Sequence, residues 1–200
     1  MKQQPNQKAG SYLKQLCMDI PERYVGSQGN RRATDLLESY FRFFKQIIDD
    51  AALQDGARHQ LEIMRLEPLH VLGMEHELHS AFSNLVLNAI RYTPADGKIQ
   101  VLWYRNEQAE GVFEVHDQGI GIDAKHLPFI TQRFYRVDSA RSRSKGGTGL
   151  GLAIVKHVLQ RHDARLDVSS ELGKGSAFKC IFPPGRLVEK TSPSERQLAS

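Results

Sequence analysis

Apolar residues recur at helical spacing in three stretches of the chain, and they alternate with polar ones in several shorter runs. Leu36, Leu37, Tyr40, Phe41, Phe44, Ile47 and Ile48 fall on one helical face. Asp35-Leu36-Leu37-Glu38 resembles a capping box, so this helix is expected to begin near Asp35, and Gly56 closes it. Its aromatic stripe reads as core rather than as a cofactor contact. Two strand-like runs follow, His59–Arg65 and Leu69–Leu72, separated by Pro68. A second helix is expected from about Glu75 to Tyr92. The turn residues Pro94-Ala95-Asp96-Gly97 lead into Lys98–Tyr104 and Gly111–Val115, alternating runs that read as a hairpin. A third helix opens at Gly146–Gly151 and runs to about His162. Strands Arg165–Ser169 and Ala177–Phe182 flank a turn at Gly173-Lys174-Gly175. This order implies an α/β (α+β) two-layer sandwich, a mixed sheet packed on one face by about three helices. The other sheet face must be covered by something else or tolerate water.

The ends lack such patterning. Residues 1–33 are polar, carry Pro5, Gly10, Pro21, Gly26 and Gly29, and offer only Leu13, Leu16 and Ile20 for one short helix. From Pro183 the chain is polar again and is expected to fray. The expected division is a poorly ordered arm over 1–33, a domain over 34–184 and a flexible tail over 185–200. A hydrophobic fraction of 40% and a charged fraction of 25% are those of a globular protein. The net charge of +4 is too mild to mark a nucleic-acid footprint. No run approaches the ~18 apolar residues that span a bilayer, and no signal-peptide core opens the chain. Cys17 and Cys180 are too few for a disulfide framework or zinc cluster, which suits a reducing cytoplasm.

Candidate chemistry starts on the second helix. Asn84, Asn88 and Arg91 stand at i, i+4 and i+7 among Leu85, Val86, Ala89 and Ile90, with Tyr92 next. They should project together as a polar stripe on a buried helix, which is how a ligand site is built. Asp117-Gln118-Gly119-Ile120-Gly121 follows directly from a strand. A carboxylate there can accept from an exocyclic amine, and the glycines let backbone approach a ligand; alone, such a segment is commonly just a turn. Gly146-Gly147-Thr148-Gly149-Leu150-Gly151 offers free backbone N–H groups ahead of a helix N-terminus, a recipe for binding phosphate. It is neither a Walker A loop nor a Rossmann fingerprint. Between these lies Arg133-Phe134-Tyr135-Arg136, then a Ser/Arg/Lys run to Lys145, which suggests a hydrophobic latch holding a mobile cationic lid.

In this order the four stretches resemble the N, G1, F and G2 boxes of the catalytic ATP-binding domain of bacterial sensor histidine kinases, over roughly Asp35 to Pro183. The wording around Arg133–Arg143 is most similar to sensor kinases of the phosphate regulon. The resemblance implies a Bergerat-type fold with a mobile ATP lid. It implies that Asn88 ligates Mg²⁺, that Asn84 supports the metal and phosphate site, and that Arg91 contacts phosphate. Tyr92 would stack on adenine, Asp117 would accept from its exocyclic amine, and Gly119 and Gly121 would let the chain pass close to the nucleotide. Gly147, Gly149 and Gly151 would shape the lid's far end, with Thr148 and Leu150 N–H groups near the phosphates. Phe134 and Tyr135 would seat the lid, and Arg143 and Lys145 are further candidates for phosphate contact.

Gln118 and Ile120 replace the Asn and Pro common in the G1 box, and Asp163-Ala164 stands where a Gly-Gly turn is usual. No His-Glu/Asp-x-x-x-Pro acceptor motif precedes Asn84. His76 in Glu75-His76-Glu77-Leu78 is a decoy on the N-box helix itself, and His157 and His162 are expected on the surface. Related ATPases that hydrolyse their nucleotide typically have a glutamate base four residues before the Mg²⁺ asparagine, where this chain has Asn84; an amide cannot take a proton as a base. The expectation is a cytoplasmic ATP-dependent histidine kinase domain of a two-component system. It would be monomeric alone and act on a histidine of a dimerising acceptor domain outside this chain, with a response regulator downstream. A truncated, non-catalytic nucleotide-binding or interaction module is the alternative.

Overall fold

The structure, a computed structural model, describes residues 31–137 and 148–188, with α-helical side chains described from Arg42 onward. Helix α1 spans Arg31–Asp55. It begins four residues before the capping-box start expected at Asp35, because Arg31, Arg32 and Ala33 are themselves good helix formers. Gly56 ends it in the left-handed region, φ +62°, with its N–H on the Ala52 carbonyl at 3.1 Å. Strands β1 (Gln60–Leu66) and β2 (His70–Val71) precede helix α2 (Glu75–Tyr92). Then come β3 (Lys98–Arg105), β4 (Gly111–Asp117), helix α3 (Gly151–Arg161), β5 (Arg165–Glu171), β6 (Gly175–Phe182) and β7 (Leu187–Val188).

Five strands form one sheet in the order β1-β3-β4-β6-β5, parallel between β1 and β3 and antiparallel elsewhere. Ile99, Val101 and Trp103 of β3 alternate inward, as the pattern required. They join Phe113, Val115, Phe178, Cys180 and Phe182 under the three helices. An aromatic cluster ties helices to sheet. Phe82 stacks on Phe113 with ring centroids 3.9 Å apart, and Phe44, Trp103 and Phe182 pack around the pair. Truncating one such buried ring costs about 3–5 kcal/mol.

The opposite sheet face closes with its own long side chains. Glu114, only 4% exposed there, accepts from Tyr104 Oη at 2.7 Å, lies 2.6 Å from His116 Nε2 and pairs with Lys179 Nζ at 3.1 Å. The Arg65 guanidinium lies over the Tyr104 ring at 5.0 Å, and Arg165 holds Glu110 through two bonds of 2.7 and 3.0 Å. Water is tolerated because the polar groups are mutually satisfied.

Three local expectations need correction or gain a cause. His162 is buried at 2%, not on the surface; its Nε2 accepts the Met74 N–H at 3.1 Å and its Nδ1 donates to the Val158 carbonyl at 2.8 Å, so it ties the end of α3 to the start of α2. Asp163 takes φ +51°, doing what a glycine does in the usual Gly-Gly turn. The chain does not fray at Pro183: Leu187 and Val188 pair with Val71 and His70, and buried Leu187 packs over Gly111, where a Cβ would meet it at 2.7 Å. The packed unit therefore runs at least to Val188, past the boundary expected at 184.

Burial pushes the Glu114 carboxyl up, but hydrogen bonds from His116, Tyr104 and Lys179 outweigh it and hold the group at about 2. A carboxyl depressed in the folded state stabilises the protein above its unfolded value of 4.5 and loses that contribution as pH falls toward about 2. Denaturation at fixed temperature between pH 5 and 2 should therefore show a steeper acid loss of stability than in Glu114→Gln; equal slopes would refute this role.

Candidate functional site

Helix α2 buries Leu85, Val86, Ala89 and Ile90 and turns its two asparagines toward α3. Asn84 Nδ2 donates to the Ser80 carbonyl one turn back at 2.8 Å. That bond fixes the amide plane and leaves Oδ1 pointing outward. A Cβ on Gly151, the first residue of α3, would lie 2.8 Å from Asn84 Oδ1 and 3.7 Å from Asn88 Nδ2. Only glycine lets the helix start come this close. Leu150, at the N-cap, makes no side-chain capping bond, and the first turn of α3 has no acid. A helix start of this kind can present its leading N–H groups to an anion.

Arg91 is placed differently from the asparagines. It lines a hollow of about 430 Å³ with Gln54, Arg58, His59 and Thr93, on the side of α2 that faces α1. Tyr92 ends the helix with its ring 37% exposed, while its carbonyl accepts the Ile120 N–H at 3.1 Å. The loop after β4 is thereby hung from the end of α2.

Asp117 ends β4. Its Oδ1 accepts the Gly119 N–H at 2.8 Å. Burial raises its carboxyl above the usual range, and the amides of Gly119 and Ser176 with nearby His116 only partly offset this. A half-dry carboxylate at a strand end is a strong acceptor for an N–H donor. Gln118, in the position usually held by Asn, donates its N–H to the Lys98 carbonyl at 3.1 Å and accepts the Lys98 N–H on Oε1 at 3.2 Å, adding one rung to the β3–β4 ladder.

The glycines of this loop make room for neighbouring chain. A Cβ on Gly119 would meet the Tyr92 carbonyl at 2.8 Å, and one on Gly121, at φ +67°, would collide with the Glu171 carbonyl. The latch also divides its work. Tyr135 is half-buried, with its hydroxyl 2.7 Å from His126 Nδ1 and its ring 5.7 Å from Phe129. Phe134 is 70% exposed. It is the Phe134 backbone that latches: at φ +64° its N–H donates to the Gly149 carbonyl at 2.9 Å, joining the two ends of the lid segment. Gly149 itself, at φ +71°, lies against the Phe134 backbone. Thr148 is exposed and Leu150 half-buried. Arg143, Lys145 and Gly147 lie outside the described residues.

Sequence reasoning passed over Ser170 and Ser176. They face each other across β5 and β6, hydroxyls 2.9 Å apart, beside Asp117 and Ile122. Their symmetric placement about Gly173 was the available signal.

The profile of the histidine kinase-, DNA gyrase B- and HSP90-like ATPases matches residues 73–186, which contain all of these elements from the start of α2 to the last turn before β7. The chain belongs to that ATPase family. The phosphate regulon sensor protein PhoR of Pseudomonas aeruginosa is 53% identical over 141 residues, 70% of this chain and 32% of that protein. PhoR of Haemophilus influenzae is 38% identical over 163 residues, 81% of this chain and 34% of that protein. Among solved structures, a mycobacterial sensor histidine kinase, MprB, superposes with a TM-score of 0.64 at 28% identity, over 71% of this chain and 93% of the other. The chain spans about a third of the length of these curated relatives.

The site fits the magnesium nucleotide expected of this ATPase family in its donor set. Two carboxamides meet an uncapped helix start, and among the described residues no group of three or more His, Cys, Asp or Glu side chains forms a competing metal cluster. Gly151→Ala should displace the pinned Asn84 amide and lower ATP affinity about tenfold, the equivalent of one net hydrogen bond. Calorimetric titration checks this, and an unchanged affinity would show that the close approach is dispensable.

Proposed function

We propose that the chain binds Mg²⁺-ATP between α2, the loop after β4 and the start of α3, and donates the γ-phosphate to a histidine on a dimerising acceptor domain. It would thereby act as the cytoplasmic catalytic part of a two-component signalling kinase. The observation that carries this reading is the pinned carboxamide of Asn84, in the place where hydrolysing members of the superfamily typically keep a glutamate base. An amide neither takes a proton from water nor turns into a group that does. What remains is a site that holds the γ-phosphate for another nucleophile, and phosphoryl transfer asks mainly for alignment and charge neutralisation.

Asn88 would hold Mg²⁺ through its carboxamide oxygen, in keeping with a hard cation that retains several waters. The ion supplies charge neutralisation across the phosphates. The N–H groups of Thr148 and Leu150 and those opening α3 would face the phosphates, with Arg143 and Lys145 as further candidates for phosphate contact, while Arg91, which lines the hollow beside α1, would reach the phosphates only by turning toward α3. Asp117 accepts from the exocyclic amine of adenine, and the exposed Tyr92 ring stacks on the base. The identity shared with the two phosphate regulon sensors supports a phosphate-regulon kinase as the specific setting. Among the described residues, no helix is long and apolar enough to cross a membrane.

Mixed with labelled ATP, Mg²⁺ and a purified acceptor domain, the chain should place label on the acceptor histidine. Phosphate release by the chain alone at a comparable rate would overturn the transfer assignment, and binding with no transfer to any acceptor would favour a non-catalytic module. Asn88→Ala should weaken Mg²⁺-dependent ATP binding by roughly tenfold or more. Titrations with and without Mg²⁺ test this, and an unaltered Mg²⁺ dependence would remove Asn88 from the metal site.

A further inference from the structure

The Ser170 hydroxyl is a three-way junction. It accepts the Ile122 N–H at 2.8 Å from a residue 48 positions earlier, donates to the Gly175 carbonyl at 2.9 Å, and lies 2.9 Å from Ser176 Oγ. A hydroxyl has one proton and two lone pairs. With the proton on Gly175, both lone pairs are taken, one by Ile122 and one by the Ser176 hydroxyl. Nothing about Ser170 is left over for solvent or ligand.

Its partners are the exit of the Asp117–Ile122 loop and the strand beside Asp117. Ser176 pairs directly with Asp117 in the β4–β6 register, and its amide is one of the groups that hold the Asp117 carboxyl down. The Ile120 carbonyl accepts the Gly173 N–H at 2.8 Å, and Gly121 packs against the Glu171 carbonyl. The β5–β6 hairpin is therefore the template on which the loop lies, and Ser170 is the side chain that fastens the two.

We infer that Ser170 is a positioning residue for purine recognition: by tying Ile122, at the exit of the Asp117 loop, to Ser176, the β6 partner of Asp117, it sets the direction in which that carboxylate faces. This rests on Asp117 being the acceptor for the exocyclic amine. Loss of the hydroxyl leaves the Ile122 N–H and the Gly175 carbonyl unpaired and lets the loop exit swing. The effect should fall on the base end of the nucleotide and leave the phosphate end alone.

The test uses the full chain and measures affinity for ATP, adenosine and inorganic tripolyphosphate with Mg²⁺, alongside thermal melts. Ser170→Ala should weaken ATP and adenosine alike, by about tenfold, and leave tripolyphosphate binding unchanged. Ser170→Thr, which keeps the hydroxyl, should restore both. Should the alanine variant fail to fold, Ser170→Cys carries the comparison, because it keeps the volume and replaces the oxygen by a weak sulfur acceptor. Asp117→Asn, measured in parallel, should weaken ATP and adenosine as well. If Asp117→Asn does so while the Ser170 variants bind like the parent below their melting temperatures, the hydroxyl is structural only and the inference fails. Equal losses for tripolyphosphate and adenosine would likewise overturn it. An Asp117→Asn variant with unchanged adenosine affinity would instead remove the acceptor role of Asp117 itself.

Discussion

A single hydrogen bond, from the Asn84 amide to the Ser80 carbonyl, determines what the centre of this protein can do. Asn84 and Asn88 are half-buried on α2, and an amide donor shut away from water without a partner costs about 1–3 kcal/mol. Asn84 spends its N–H on its own helix, and its oxygen is thereby turned toward α3. The helix start can then settle against both asparagines only because Gly151 has no Cβ. The α2–α3 packing, the uncapped amides and the polar stripe are one arrangement. Changing any of them moves the other two.

The sheet supplies the second wall by a different device. β4 delivers Asp117 at its last position, and the loop beyond it is tethered on three sides: to Lys98 through Gln118, to the end of α2 through Ile120, and to the β5–β6 hairpin through Ser170. Each tether uses backbone groups, so the loop's shape depends little on side-chain bulk except at Gly119 and Gly121, where neighbouring carbonyls leave no room for one. Burial pushes the Asp117 carboxyl up, and the amides of Gly119 and Ser176 partly offset this. The carboxyl is thus partly shielded from water while backbone donors hold it in place.

The layers of the fold were legible because both periodicities are clean. Period-two burial in β3 and the apolar spacing of α2 leave no other face to bury, and Gly56 and the Pro94–Gly97 turn stop their elements where expected. The four boxes fall on α2, the loop after β4, the segment around Phe134 and the start of α3. What escaped the sequence shares one cause: contacts between distant segments that no local pattern encodes. His162 has the spacing of a surface residue and is buried because the Met74 N–H needs an acceptor. Leu187 lies beyond a proline pair and returns to the core because Gly111 leaves it a seat. The glycines of the Asp117 loop were assigned to the ligand on type alone; the room they make for the Glu171 and Tyr92 carbonyls is a contact of this kind. Ser170 was invisible for the same reason; its significance is entirely in a partner 48 residues away.

The latch shows how a strained backbone can be held in place. Phe134 adopts a left-handed backbone conformation that costs a non-glycine residue of order 1–3 kcal/mol. It leaves a large aromatic ring 70% exposed, which costs further stability. Neither expense helps the isolated domain fold. Both are offset locally, by the bond to Gly149 and by the neighbouring Tyr135, which His126 and Phe129 hold in place. The segment thus pairs one half-buried aromatic, held by His126 and Phe129, with one exposed aromatic whose strained backbone joins residues 134 and 149.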